Sequence, residues 1–191
     1  IAMLNRLNTL VPLYISMLIA IPLMLFPQII TIFYGDDYAT YEMYMLTVII
    51  VSYSVLIIYR QAIARLVAVY EFQWIYLLDS VVLSVSFVVG FKLLYSWGIF
   101  GLTCTFLVSY LLSCLVFTPV YVRKGLITKD IFQDKLLWLL VASMLVAGGL
   151  FVLNCALYVR LLFLLLFCTM LGIYIFRQIS AYRNRQKANN C

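Results

Sequence analysis

Long apolar runs alternate with short polar segments along this chain, and the pattern predicts six membrane-spanning helices. A helix that crosses the lipid core needs about 20 mostly apolar residues. The predicted spans cover residues 10–34, 44–69, 74–95, 102–122, 136–153 and 157–176. We therefore expect an all-α, polytopic transmembrane helix bundle.

The first apolar run differs from the others because it contains Pro12, Pro22 and Pro27. Each proline removes a backbone donor and clashes with the preceding turn. We expect a kinked or broken helix that stops at the turn signal of residues 35–37, Gly-Asp-Asp. Pro22 and Pro27 are candidate hinges for a transport cycle, and a static kink is the alternative.

The composition agrees with a membrane protein and argues against several other classes. Apolar residues make up 66% of the chain and charged residues 10%, against roughly half and a quarter in soluble domains. The net charge of +6 comes from basic residues that cluster in short segments between apolar runs and in the tail, which does not predict a nucleic-acid interface. There is no histidine, and no nucleophile–base pair or metal-ligand cluster stands out. We expect no catalysis, no cofactor and no metal.

The basic residues predict that both chain ends are cytoplasmic. With the N-terminus inside and the spans alternating, only Lys92 and Arg160 fall on the outer side, which is the strong bias that the positive-inside rule describes. The inner side holds Arg6, Arg60, Arg65, Arg123, Lys124, Lys129, Lys135, Arg177, Arg183, Arg185 and Lys187.

This orientation can be measured directly with topology reporters. A reporter fused after Asp37 is expected to report an outer location, and one fused after Lys129 an inner location, because an odd and then an even number of spans precede them. Both fusions on the same side would contradict the six-span topology.

Three segments resemble the C-terminal part of the polysaccharide and O-antigen flippases, within the multidrug/oligosaccharidyl-lipid/polysaccharide exporter superfamily. Residues 27–38, PQIITIFYGDDY, are similar to the family's pattern that closes one helix. The next helix ends in a polar stretch with Arg60, Arg65 and the small Ala68. Residues 94–102, LYSWGIFGL, look like the family's Gly-Ile-x-Gly turn between helices.

The resemblance implies a domain organisation. Residues 1–122 would form a four-helix region of the flippase C-terminal domain, and residues 136–176 would be an additional helix pair. Residues 123–135 would be a cytoplasmic loop, and residues 177–191 a basic cytoplasmic tail that we expect to fray. The N-terminal lobe, with which family members form their cavity, would be the partner of this chain.

The resemblance also implies a function and candidate residues. The chain would be part of a multi-pass transporter of the bacterial inner membrane that flips a lipid-linked oligosaccharide by alternating access. Arg60, Arg65 and Gln61 are the candidate substrate-binding residues, because a guanidinium can bind pyrophosphate bidentately. Both arginines could instead extend to the lipid headgroups. Asp79 is either a site that couples transport to a proton or sodium ion, or one member of a structural ion pair with Arg60 or Arg65.

Other functions are also compatible with the sequence. A multidrug antiporter of the same superfamily is one alternative, although acidic residues are scarce in the spans. A membrane-embedded polysaccharide polymerase or an accessory subunit is another, although polymerases typically carry a large external loop. The identity of a transported glycan is not encoded in any local motif.

Overall fold

The computed structural model describes residues 2–127 and 129–189, with side chains over residues 7–127 and 131–177 and at Ser180. Within these residues the fold is all-α, as predicted: six long helices and one short helix, without strands. The helices are α1 (Ala2–Leu25), α2 (Ile30–Tyr34), α3 (Tyr41–Val69), α4 (Gln73–Leu94), α5 (Gly98–Arg123), α6 (Lys135–Val152) and α7 (Leu157–Asn189).

The six long helices have the length and composition of membrane spans. Five helical stretches of the described chain are long and apolar enough to cross a membrane. One of them, Gln73–Arg123, is 51 residues long and contains both α4 and α5. These two helices pack against each other along their lengths, so the stretch supplies two spans. The chain is a multi-pass helical membrane protein.

The first apolar run is broken, as its prolines predict. Helix α1 continues through Pro12 and Pro22 and ends at Leu25. Pro27 then opens a 3₁₀ turn, Pro27–Ile29, which leads into the short α2. Gly35 ends α2 with φ +90° and ψ 173°, a conformation that is essentially restricted to glycine. The proline that breaks the run is therefore Pro27.

Side-chain contacts show that α1 runs antiparallel to α3 and that α4 runs antiparallel to α5. Asn8 near the start of α1 donates to the carbonyl of Ala62 near the end of α3. In the α4–α5 hairpin, Phe87 packs on Phe106 with ring centroids 4.6 Å apart. We call the end of the bundle that carries Arg123 the inner end and the end that carries Gly35 the outer end, after the predicted orientation.

The turn between α4 and α5 depends on two glycines. Gly98 follows the 3₁₀ turn Tyr95–Trp97 with φ +59° and ψ −135°. Gly101 lies against the backbone carbonyl of Leu94, and a Cβ there would overlap that oxygen and lie 3.0 Å from the Trp97 Cβ. The turn is compact because neither position carries a side chain.

The helix pair α6–α7 is integrated into the bundle. Helix α6 packs along α1, where Gly148 lets Met24 of α1 approach. At the outer end Arg160 of α7 is buried and donates from Nη1 to the carbonyl of Leu25 over 3.4 Å. Its guanidinium lies 5.0 Å from the ring centroid of Phe151. Arg160 thus joins α7 to the last carbonyls of α1, where a positive charge is favoured.

The inner-end loop is anchored to the bundle. Leu126, Ile127 and Ile131 are buried and belong to the hydrophobic core. A 3₁₀ helix, Lys129–Gln133, leads into α6, and Asp134 caps α6 by accepting from the backbone N–H of Leu136. Because residues 123–135 are polar on average, their composition did not predict that these three apolar residues would be buried.

The basic tail is helical as far as its backbone is described, and its fraying stays a prediction. Helix α7 continues through the basic segment and ends at Asn189. Arginine, lysine, glutamine and alanine favour helices, and no proline or glycine interrupts residues 177–189. The basic tail is therefore a continuation of the last span.

Candidate functional site

Helices α3, α4 and α5 bring four polar side chains together inside the bundle near its inner end. They are Arg60 of α3, Asp79 of α4, and Ser113 and Tyr121 of α5, and we call them the polar cluster. All four are buried, with Asp79 2% exposed and Ser113 fully enclosed. Charged groups within a membrane span are rare and generally face a bundle interior, where they pair or serve a function.

An ion pair between Arg60 and Asp79 forms the centre of the cluster. The Arg60 Nη2 lies 3.1 Å from the Asp79 Oδ2, and Nε donates to the same oxygen over 3.3 Å. Arg60 lies nine residues before the end of α3 at Val69, or about 13 Å along the helix axis. The pair neutralises two charges at a depth where an isolated charge would be costly.

Two hydroxyl groups of α5 complete the coordination of the carboxylate. Ser113 Oγ donates to Asp79 Oδ1, and Tyr121 OH donates to Oδ2 over 2.9 Å. Ser113 and Tyr121 are eight residues apart and so lie on one face of α5, directed at α4. Asp79 therefore has donors from two helices besides its own, as a buried carboxylate requires.

Aromatic rings from α4 and α5 cover the guanidinium of Arg60. Its central carbon lies 5.5 Å from the ring centroid of Tyr76 and 5.7 Å from that of Tyr110. Both distances are within the range of cation–π contacts, which strengthen when water is excluded. The rings restrain Arg60 without occupying its N–H groups.

The structure resolves the pairing that the sequence left open. Asp79 pairs with Arg60 and not with Arg65, because residues five apart on a helix diverge by about 140°. Arg65 and Gln61 share a different face of α3, and both are exposed. Their substrate-binding role stays a prediction. Pro22 and Pro27 lie toward the outer end, and their hinge role also stays a prediction.

Sequence reasoning missed the hydroxyl side chains of the site. The hydroxyl residues of α5 that face α4 follow a spacing of four, a signal that was present in the sequence. They are Thr105, Ser109, Ser113 and Tyr121, and the position between the last two in this spacing is occupied by Phe117. The missed aromatic residues Tyr76 and Tyr110 carry no such signal, since aromatic residues are frequent throughout the spans.

The polar cluster contains one cationic, one anionic and two hydroxyl side chains. Among the described residues, no three of His, Cys, Asp and Glu come together as metal ligands would. The groups present are a guanidinium, a carboxylate and hydroxyls, which bind oxyanions or exchange hydrogen bonds.

No protein-family model, curated protein or solved structure matches this chain.

Proposed function

We propose that the chain is part of a membrane transporter that flips a lipid-linked oligosaccharide across the bacterial inner membrane by alternating access. The observation that carries the proposal is the buried Arg60 guanidinium, held between aromatic rings inside a helical membrane bundle. The resemblance of residues 27–38 and 94–102 to the polysaccharide flippases supplies the substrate class. The chain contributes one part of a cavity that the N-terminal lobe of such a transporter completes.

In this proposal Arg60 binds the pyrophosphate that links the glycan to its lipid carrier. A guanidinium presents a planar fork of N–H donors that matches two oxygens of a phosphate group. The lipid carrier stays in the bilayer beside the bundle while the charged headgroup enters it. Rocking of the two lobes then exposes the headgroup at the outer face, as in other transporters with a central binding site.

Complementation of a flippase-deficient strain tests the role of Arg60. Arg60→Ala in the full-length protein is expected to lower surface polysaccharide about tenfold or more, because charge-assisted hydrogen bonds contribute about 1.5–3 kcal/mol. Arg60→Lys keeps the positive charge but lacks the planar set of N–H donors of a guanidinium, so it should restore export only in part. The readout is surface polysaccharide relative to protein level in the membrane.

Lys92→Ala is the matched control, since Lys92 is an exposed basic residue at the other end of α4. It should export normally. Full export by Arg60→Ala at normal protein level would remove Arg60 from the binding site. Lipid-linked intermediate that stays on the cytoplasmic face with the unmodified protein would overturn the flippase proposal.

A further inference from the structure

The ion pair uses only part of the binding capacity of Arg60. Both Nε and Nη2 approach a single oxygen, Oδ2 of Asp79, because Oδ1 is engaged by Ser113. Nη2 is within ion-pair distance of that oxygen but makes no hydrogen bond of good geometry, although it is completely buried. Arginine and carboxylate groups bind best through two parallel hydrogen bonds. This pair lacks the second bond.

Each member of the pair has support that does not depend on the other. Ser113 and Tyr121 would still donate to the Asp79 carboxylate if Arg60 moved away. Tyr76 and Tyr110 would still cover the guanidinium if Asp79 moved away. The pair can therefore open at a lower cost than one in which each charge has no other partner.

Space and a further donor lie next to the pair. A groove of about 270 Å³ between α4 and α5 is lined by Tyr110, which also covers Arg60. Ser109 lines the same groove, and its hydroxyl is buried without a hydrogen-bond partner among the described residues. Ser109 is one turn from Ser113 on the same face of α5. The groove is thus lined by one unused donor, Ser109, and by Tyr110, whose ring connects it to the guanidinium of Arg60.

We propose that Asp79 is a placeholder anion, which occupies the anion site of Arg60 in the resting protein until a pyrophosphate group displaces it. Displacement gives Arg60 two oxygens in place of one, and Ser113 and Tyr121 retain the released carboxylate. Ser109 donates to the incoming phosphate. This inference rests on the proposed function, and it adds that substrate binding and opening of the ion pair are the same event.

Binding measurements on the full-length protein in lipid nanodiscs test the proposal, with a short-chain prenyl pyrophosphate and inorganic pyrophosphate as probes. Asp79→Asn removes the competing charge and should bind the probe about tenfold more tightly. Tyr121→Phe removes a donor that the released carboxylate needs, so it should bind about fivefold more weakly. A merely structural role of the cluster would weaken binding in both variants. Adding Arg60→Ala to Asp79→Asn should abolish the gain.

The outcomes separate this inference from the proposed function. Tighter binding by Asp79→Asn supports the placeholder, whether the gain extends to inorganic pyrophosphate or is confined to the lipid-linked probe. Wild-type binding that Asp79→Asn weakens would overturn the placeholder and leave the flippase proposal standing. No binding by any variant would overturn both. If Asp79→Asn does not fold, the binding affinities of Tyr121→Phe and Ser113→Ala for the probe test the placeholder role of Asp79. Unchanged affinity in both variants would refute the inference.

Discussion

Asp79→Ala is expected to destabilise the bundle by about 3–5 kcal/mol, because it leaves Arg60 as a buried cation without a counter-charge. Asp79 is 2% exposed and receives contacts from α3 and α5, so its removal affects three helices at once. The free energy of unfolding in detergent micelles or nanodiscs measures the effect. A loss below about 1 kcal/mol would show that water or lipid headgroups reach Arg60.

The double variant Arg60→Met/Asp79→Leu is the control for this prediction. Apolar residues of similar volume can replace a buried ion pair with little loss of stability, because neither charge then has to be desolvated. The double variant should therefore be more stable than Asp79→Ala, and it should not support transport. If the loss of stability in the double variant equalled the sum of the losses in Arg60→Met and Asp79→Leu, a direct interaction between these residues would be contradicted.

Gly101→Ala is expected to destabilise the protein by about 3 kcal/mol through the α4–α5 turn. The new methyl group would overlap the carbonyl oxygen of Leu94, which belongs to the backbone and cannot rotate away. The turn would have to open, and α5 would shift against α4 along the contacts that hold Asp79. Thermal unfolding and the protein level in the membrane report the effect.

Gly149→Ala is the matched control, because it makes the same substitution in the interior of α6. No heavy atom outside the helix's own backbone lies within 4 Å of a Cβ at Gly149, which borders an apolar groove. Alanine is favoured over glycine in a helix interior by about 0.5–1 kcal/mol, so this variant should be neutral or slightly stabilised. Equal losses at both positions would contradict the close approach at Gly101.

The helices could be predicted from the sequence because turn signals separate the apolar runs. Gly35 and Gly98 mark turns with positive φ, and Pro27 marks the break in the first run. Composition alone was less informative about local structure than the turn signals. The basic tail is polar and yet helical, and residues 123–135 are polar on average but anchored by buried Leu126.

Only the charged residues of the candidate site could be predicted from the sequence. Arg60 and Asp79 stand out because charges within apolar runs are rare, but the sequence could not choose between Arg60 and Arg65 as the partner. The choice depends on how α3 is rotated about its axis, which packing against α1 and α5 determines. Tyr76 and Tyr110 belong to the site through tertiary contacts that no local pattern specifies.

The contact between Arg160 and Leu25 has a consequence for biogenesis, since it joins residues 135 positions apart in the sequence. At about 5–20 residues per second, the ribosome needs roughly 7–27 s after completing α1 to synthesise its partner. During that interval the C-terminal carbonyls of α1 depend on water, lipid headgroups or the insertion machinery. The outer end of the bundle is therefore completed last, when the final span enters the membrane.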